Sequence, residues 1–243
     1  MVETKVLLKA SLEAGKELLR PPATRVHIEP ADKPLPVIVP IRSLGENHRE
    51  RIAIHLLSLD GPDRYLRFGY AANDEQIRRY VDSLNFERDE IFGIYNRKLI
   101  LVAMAHLAYA SVDHCESCAE FGVSVLKSAR GRGYGSRLFD RAAMHARNDK
   151  VTMMFIHALS ENSAMLKIAR NAGATVQRDG SESEAYLHLA PATLDTRLTE
   201  IVQEQFALAD YRIKVQAKQF WEVLADLQRL RKGATQATFD NPD

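Results

Sequence analysis

The amino-acid sequence predicts an α/β protein built on one mixed β-sheet with helices on its two sides. Two observations support this fold class. Between residues 37 and 190, strand-like segments rich in β-branched and aromatic residues alternate with segments whose apolar residues recur every three to four positions. The order is one strand, two helices, three strands, a helix, a strand, a helix and two short strands, which predicts a sheet that is part antiparallel and part parallel.

Each predicted element has its own local pattern. The strands are expected at PVIVPIRSL, EIFGIYN, KLILVAMAHLAYA, CAEFGVSVL, TMMFIHAL, ATVQ and AYLHLA. The helices are expected at GENHRERIAIHLLSL, at NDEQIRRYVDSL with Asn73 or Asp74 as its cap, from the glycine-rich turn to about Asn148, and from Asn162 to Ala172.

Proline content and hydrophobic spacing divide the chain into three parts. Residues 1–36 combine a predicted helix with a proline-rich strap, because six of the nine prolines fall between residues 21 and 40. Residues 37–190 carry the alternating pattern. Residues 191–243 return to helical spacing, and we expect this C-terminal helix either to pack on the core or to form a homodimer with a second copy.

Composition narrows the range of partners. The 243 residues include 33 basic and 32 acidic side chains, so the formal net charge of +1 provides no overall field to attract nucleic acid or an anionic membrane. No segment approaches the roughly 20 apolar residues of a membrane-spanning helix, and charges interrupt the first 20 residues, unlike a secretory signal peptide. We therefore expect a cytoplasmic protein with neither a nucleic-acid nor a membrane partner.

The two cysteines, Cys115 and Cys118, form a single CxxC pair. A structural zinc site needs four ligands and no second pair exists, while the spacing of His106 and His114 does not demand a site. A reactive thiolate is stabilised at a helix N-terminus, whereas this pair lies between two predicted strands. We expect no metal site and interpret the pair as the polar tip of a hairpin.

A glycine-rich turn, KSARGRGYGSRLFDRA, joins a strand to an amphipathic helix. Backbone amides at a helix N-terminus bind phosphate, and glycines allow the phosphate to approach. Gly131, Gly133 and Gly135 do not form the GxGxxG pattern of dinucleotide-binding turns in either register, and no GK[ST] follows to form a P-loop. The turn therefore belongs to neither common nucleotide-binding type.

The turn fits a third pattern, [QR]-x-x-G-x-[GA], through Arg130, Gly133 and Gly135. This pattern and the element order resemble the GNAT family of N-acetyltransferases over roughly residues 37–190. The resemblance implies the GNAT fold, acetyl-CoA as acyl donor, and a turn whose amides hold the coenzyme pyrophosphate while its arginines offset the charge. The residues implied are Arg130, Gly131, Arg132, Gly133, Tyr134, Gly135 and Ser136.

A second segment, SENSAMLKIARNAGA, is similar to a later motif of the same family through Asn162 and Gly173. The resemblance implies that Asn162 contacts the pantetheine arm, although both residues also have local explanations as a helix cap and a helix stop. Many family members carry a tyrosine seven residues after the asparagine as general acid, and here that position is Ala169. A thiol with a pKa near 8.5 leaves without a strong acid, so a water suffices.

The amine acceptor must lose a proton before it attacks a thioester. For a lysine with a pKa of about 10.4, deprotonation near pH 7.4 costs about 4 kcal/mol, so a general base is valuable. Glu120 is the candidate, ten residues before Arg130 on the preceding strand. The resemblance implies that Glu120 draws the amine proton through water while amides near Val123 to Val125 polarise the thioester carbonyl.

Three features are most similar to bacterial protein-lysine acetyltransferases of the family: the glutamate at position 120, the segment NSAML and the segment RYLRFGY. A protein lysine is therefore the expected acceptor. A small amine such as a polyamine or an amino sugar stays open, as does a non-catalytic acyl-CoA-binding regulatory module. Among the histidines, we expect His106 and His157 to be satisfied core residues and His145 to lie on the surface. Tyr109 is a weaker candidate for the acceptor site.

Overall fold

The computed structural model describes residues 39–110 and 117–237, and all of them belong to one compact unit. In chain order the elements are β1 (Arg42–Ser43), a 3₁₀ turn (Glu46–His48), α1 (Arg49–Leu57), α2 (Gly61–Phe68), α3 (Asp74–Asp82), β2 (Glu90–Tyr95), β3 (Leu101–Tyr109), β4 (Cys118–Val125), a 3₁₀ turn (Lys127–Ala129), α4 (Tyr134–Asn148), β5 (Met153–Leu159), α5 (Ser163–Asn171), β6 (Thr175–Asp179), β7 (Glu182–His188) and α6 (Leu194–Ala237).

The seven strands form one mixed sheet in the order β1-β2-β3-β4-β5-β7-β6. Neighbouring strands are antiparallel except for β4 and β5, which run parallel and are joined through α4. The predicted fold class is therefore confirmed. The two strands of the parallel pair lie at the centre of the sheet, and the glycine-rich turn follows the first of them.

Alternate residues of the strands face two separate cores. Helices α4 and α5 cover one side, here called the α4 face, where Phe121 of β4 meets Phe139 of α4 with ring centroids 5.0 Å apart. Helices α1, α2 and α3 cover the other side, here called the α2 face, and bury Ile52, Ile77 and Met104. Position along a strand therefore decides which side of the sheet a side chain reaches.

The structure has three helices between β1 and β2 where the sequence predicts two. The missed helix, α2, begins at Gly61-Pro62, a pair that is typical of turns. Proline is tolerated in the first helical turn, where its missing N–H would have no partner. Asp60 caps the helix by accepting from the Asp63 amide, and Gly69 ends it with φ of +80°. The expected cap of α3 is confirmed, since Asn73 and Gln76 form a capping box.

Two other expectations need correction. The first predicted strand pairs with β2 only at Arg42 and Ser43, and Pro40 just before them has no N–H to donate to a ladder. Cys118 is buried at the start of β4 and is disulfide-bonded, so it is not part of an exposed hairpin tip; Cys115 lies outside the described residues. The predicted N-terminal helix and strap lie outside them as well.

The C-terminal helix α6 packs on α4 through a cluster of charged side chains. Arg141, with 3% of its side chain exposed, contacts Glu200 at 3.3 Å and Glu204 at 3.0 Å. His145 contributes Nδ1 at 2.6 Å from Glu200, and its ring packs edge-on against Phe92. His145 is therefore half-buried, and the expectation of a surface residue is wrong. None of the described helices is long and apolar enough to cross a bilayer.

Several apolar side chains of α6 point into solvent, among them Val202, Phe206, Ile213, Phe220 and Trp221. They are the side chains that a second copy would cover in the expected homodimer. The homodimer remains a prediction.

The contact between His145 and Glu200 makes stability depend on pH. Burial acts to lower the pKa of His145, but the hydrogen bond to Glu200 outweighs it and raises the pKa above 6.5. Burial acts to raise the pKa of Glu200, and its bonds with His145 and Asn148 lower it overall. The pair therefore stabilises the fold between these two pKa values, and this contribution is lost as pH rises through the raised pKa of His145.

We predict that Glu200→Gln lowers the free energy of unfolding by about 1–3 kcal/mol at pH 5.5, because two charged contacts are lost. The loss should be smaller at pH 9, where His145 is neutral in the wild type as well. Urea unfolding at both pH values measures it. Glu222→Gln, which removes an exposed pair with Lys218 on the same helix, is the matched control and should cost little. An equal loss from Glu200→Gln at both pH values would contradict the assignment.

Candidate functional site

The parallel strands β4 and β5 stop pairing part of the way along their length. Residues Cys118, Ala119 and Glu120 pair with Met153, Met154 and Phe155. Beyond them β4 continues to Val125 and β5 to Leu159, but the two strands no longer pair with each other. Beyond this point the strands bound a cleft of about 830 Å³, which is also lined by the glycine-rich turn and by parts of α2 and α5. The cleft is the candidate site.

The part of β4 that does not pair with β5 directs backbone N–H groups into the cleft. The amide of Leu126 bonds to the carbonyl of Val102, and the amide of Ala110 bonds to the carbonyl of Cys118, so even-numbered residues of β4 pair with β3. The N–H groups of the alternate residues Val123 and Val125 therefore point towards β5, where no strand accepts them. That the amides near Val123 to Val125 face the thioester stays a prediction.

The glycine-rich turn follows β4 in the chain and forms one end of the cleft. Gly131 and Gly133 have φ of +76° and +72°, in the left-handed region, and nothing lies within 4 Å of where their Cβ atoms would be. Helix α4 begins at Tyr134 with no side-chain cap, so the N–H groups of its first turn have no partner within the helix. Open amides at the positive end of a 15-residue helix fit the pyrophosphate of coenzyme A.

The basic side chains of the turn are mostly paired. Arg130 contacts Asp63 of α2 at 2.6 Å and donates through Nε to the carbonyl of Val125. Lys127 pairs with Asp60, also at the start of α2. Arg132 does not line the cleft, although the other residues predicted for the turn do: Arg130, Gly131, Gly133, Tyr134, Gly135 and Ser136. Arg130 and Lys127 tie the turn to α2, and the backbone N–H groups at the start of α4 contribute positive potential to the cleft.

Glu120 lies on the α2 face at the point where the strands separate. Its carboxylate is 3.2 Å from Nδ1 of His157 on β5, and Nε2 of the same ring is 3.5 Å from Glu184 on β7. Each of the three side chains is about half exposed and lines the cleft. The expectation that His157 is a core residue is wrong, because it occupies the face opposite the buried Ile156 and lies beyond the helices that cover that face.

Asn162 caps α5 by accepting from the Met165 amide at 3.1 Å, and its Nδ2 donates to the carbonyl of Leu66 at 3.4 Å. It lines the cleft while joining α5 to α2, so contact with the pantetheine arm stays a prediction. Ala169 is fully buried in the core on the α4 face. Ala169 does not line the cleft. Tyr109 also packs against the α4-face core and does not line the cleft.

Sequence reasoning missed Arg67, which lines the cleft from the end of α2. Its Nη2 donates to the hydroxyl of Tyr80 at 2.8 Å, and that hydroxyl is 2.8 Å from Nδ1 of His106. Nε2 of His106 is 3.1 Å from Asp89, so His106 is a satisfied core histidine as expected. The segment RYLRFGY contains Arg67, but only knowledge that α2 is a helix over β4 places its side chain in the cleft.

Asp89 anchors this chain as a carboxylate. Burial acts to raise its pKa, but bonds from His106 and Arg88 outweigh burial and lower the pKa to about 2. An ionised Asp89 accepts only, so Nε2 of His106 carries the proton and Nδ1 accepts from Tyr80. The described residues include no group of three or more side chains suited to hold a metal ion.

Comparison with known proteins shows the same fold. Similar structures include the GNAT domain of the PAT protein of S. lividans (TM-score 0.54, 18% identity, 63% of this chain and 95% of that chain). A ribosomal-protein-alanine N-acetyltransferase from Brucella melitensis (0.50, 16%, 61% and 99%) and a spermidine N-acetyltransferase from Vibrio cholerae in complex with CoA and spermine (0.50, 15%, 62% and 95%) are also similar. At these identities the likeness concerns the fold alone. No curated protein matches the sequence.

The family model described as the acetyltransferase (GNAT) domain matches residues 40–175, which is more than half of the chain. This range contains the separated strands, the open turn and the cap of α5. The chain therefore belongs to the GNAT acetyltransferase family and is an N-acetyltransferase that uses acetyl-CoA as its acyl donor.

Proposed function

We propose that the protein transfers the acetyl group of acetyl-CoA directly to the side-chain amine of a protein lysine. The observation that carries the proposal is the position of Glu120. Its carboxylate opens into the cleft on the α2 face, on the same strand as the free amides of Val123 and Val125. A base for the amine and donors for the thioester carbonyl thus lie along one strand.

The acyl donor supplies an activated thioester, and the protein orients it. The open amides of Tyr134, Gly135 and Ser136 hold the pyrophosphate at the start of α4. The pantetheine arm lies between the separated strands, and the amide of Val123 donates to the thioester carbonyl, where negative charge develops during attack. Lys167 of α5, which also lines the cleft, provides a positive charge for phosphate groups.

Glu120 accepts the proton that the acceptor ammonium must lose, through a bridging water. The neutral nitrogen then attacks the carbonyl carbon, a C–N bond forms and the C–S bond breaks. The sulfur leaves as a thiolate, which its pKa of about 8.5 permits without a strong acid, and it takes up through water the second proton that the nitrogen loses as the amide forms. His157 lies against Glu120 and fixes the orientation of its carboxylate.

A small polyamine is the second candidate acceptor. Three carboxylates line the same part of the cleft, those of Glu120, Glu182 and Glu184. Such a group attracts an acceptor with several positive charges. Both acceptors are amines, and both require turnover, in contrast to a non-catalytic acyl-CoA-binding module.

We predict that Glu120→Gln lowers the turnover rate about a hundredfold or more, the usual contribution of a general base. The dissociation constant of acetyl-CoA should stay unchanged, because the carboxylate acts on the acceptor. Radiolabelled acetyl-CoA incubated with a cell extract, then fractionated by size, measures transfer; calorimetry measures binding. Glu161→Gln, an exposed carboxylate just after β5, is the control and should retain full activity.

The fractions also decide between the acceptors. Label in the protein fraction supports the lysine proposal, and label confined to small molecules supports the polyamine. Equal labelling by wild type and Glu120→Gln would remove Glu120 as the base.

We predict that Gly133→Ala weakens acetyl-CoA binding about tenfold, because a side chain at φ of +72° costs about 1–2 kcal/mol and shifts the turn that holds the pyrophosphate. Gly180→Ala imposes similar strain at φ of +57° between β6 and β7, outside the cleft. Both variants should lose a similar amount of thermal stability, and calorimetry should show weaker binding only for Gly133→Ala. Equal binding by the two variants would argue against a pyrophosphate site at this turn.

A further inference from the structure

The guanidinium of Arg67 lies flat on strand β4 at Gly122. A Cβ atom at Gly122 would meet Cζ and Nη2 of Arg67 at 2.8 Å and Nη1 at 2.9 Å, so the plane of the group faces the strand. The residue that follows Gly122 is Val123, whose free amide points into the cleft. The absence of a side chain at Gly122 therefore allows a positive charge to lie next to the predicted thioester position.

A chain of buried polar groups holds Arg67 in this place. The Tyr80 hydroxyl accepts one guanidinium N–H and donates to Nδ1 of His106, and Asp89 accepts from Nε2 of the same ring. The side chain of Asp89 is 2% exposed and that of His106 is 11% exposed. Such a chain orients the guanidinium without neutralising it, because the carboxylate is two side chains away.

No anion balances Arg67 within the described residues. It takes part in none of their ion pairs, and Asp63 on its own helix is paired with Arg130. Its immediate surroundings are the rings of Phe68 and Tyr80, 5.3 and 5.4 Å from Cζ, and His55, whose burial lowers its pKa to about 4 and keeps it neutral. Nε of Arg67 is buried without a hydrogen-bond partner. A partly buried guanidinium with no anion beside it and an unsatisfied Nε is costly, and an anionic ligand would reduce that cost.

We propose that Arg67 is the binding site for a carboxylate that lies beside the transferred acyl group, and that the acceptor is an amine with a carboxylate nearby. A guanidinium recognises a carboxylate through charge-assisted hydrogen bonds. This inference rests on the proposed function, in which the amine approaches Glu120. For a lysine acceptor, the carboxylate is that of an adjacent aspartate or glutamate.

The spacing along β4 supports an acceptor that carries both charges. Glu120 and Gly122 lie on the same face of the strand, opposite to Phe121, two residues and so about 7 Å apart. An amine at Glu120 and a carboxylate at Arg67 match an acceptor whose two groups lie close together in space. A carboxylate on the acyl chain itself offers the same chemistry, and the experiment separates the two sources.

Calorimetry on the full chain tests both sources without requiring turnover. In the first arm, protein saturated with CoA is titrated with 4-aminobutyrate and with n-butylamine, which differ by the carboxylate. In the second arm, succinyl-CoA is compared with butyryl-CoA, which have acyl chains of equal length. We expect the carboxylate to tighten binding about tenfold in the first arm and Arg67→Gln to abolish the difference.

Three further variants show whether a lost carboxylate preference comes from the position and charge of Arg67 or from a general change in folding. Gly122→Ala retains the charge of Arg67 but displaces it from β4, and should also abolish the preference. Tyr80→Phe removes one hydrogen bond and should weaken it. Arg79→Gln, which breaks an exposed pair with Glu75, should leave the preference unchanged.

A carboxylate preference confined to the second arm would assign Arg67 to the acyl chain in place of the acceptor. No preference in either arm, or an equal preference in wild type and Arg67→Gln, would overturn the inference. Failure of the protein to bind CoA would instead refute the proposed use of the cleft, and the first arm repeated without CoA would still measure the effect of Arg67.

Discussion

The site depends on one constraint, the separation of β4 and β5 after their first three paired residues. In a continuous parallel sheet, the amides of Val123 and Val125 would bond to β5, and no space would exist between the strands. Because the strands diverge, the N–H groups of Val123 and Val125 point into the cleft instead of towards a partner strand. In the proposed function, the thioester carbonyl of the donor accepts from them. The same separation gives the proposed donor site at the turn a path to the proposed acceptor site on the α2 face.

The two faces of the sheet therefore differ in the side chains that they carry. The α4 face is a closed apolar core, in which Phe121, Phe139, Ile156 and Ala169 are all buried. The α2 face carries the polar groups: Glu120, His157 and Glu184 beyond the covering helices, and Arg67 with its supporting chain beneath them. Because successive side chains of β4 and β5 point to opposite faces, the apolar side chains of the core and the polar side chains of the cleft lie on different sides of the sheet.

The sequence predicted most of the strands and the glycine-rich turn correctly, because both depend on local patterns. Alternating β-formers indicate strands, and glycines before an amphipathic stripe indicate an open helix start. The role of His157 was misjudged, since which face of a strand is buried depends on where the covering helices end. Arg67 was missed for a related reason: Gly61-Pro62 concealed a helix start, and the contact with Gly122 joins residues 55 positions apart. Such long-range contacts follow from packing and leave no periodic signal.

Helix α2 is attached at both of its ends to other walls of the cleft. Its first residues are held by Lys127 and Arg130 of the turn, and its last turn is held by Asn162 at the start of α5. Since the helix also carries Arg67, α2 connects the proposed carboxylate site with the proposed pyrophosphate site. A displacement of the turn would then displace Arg67 as well, so the proposed donor and acceptor sites would change position together.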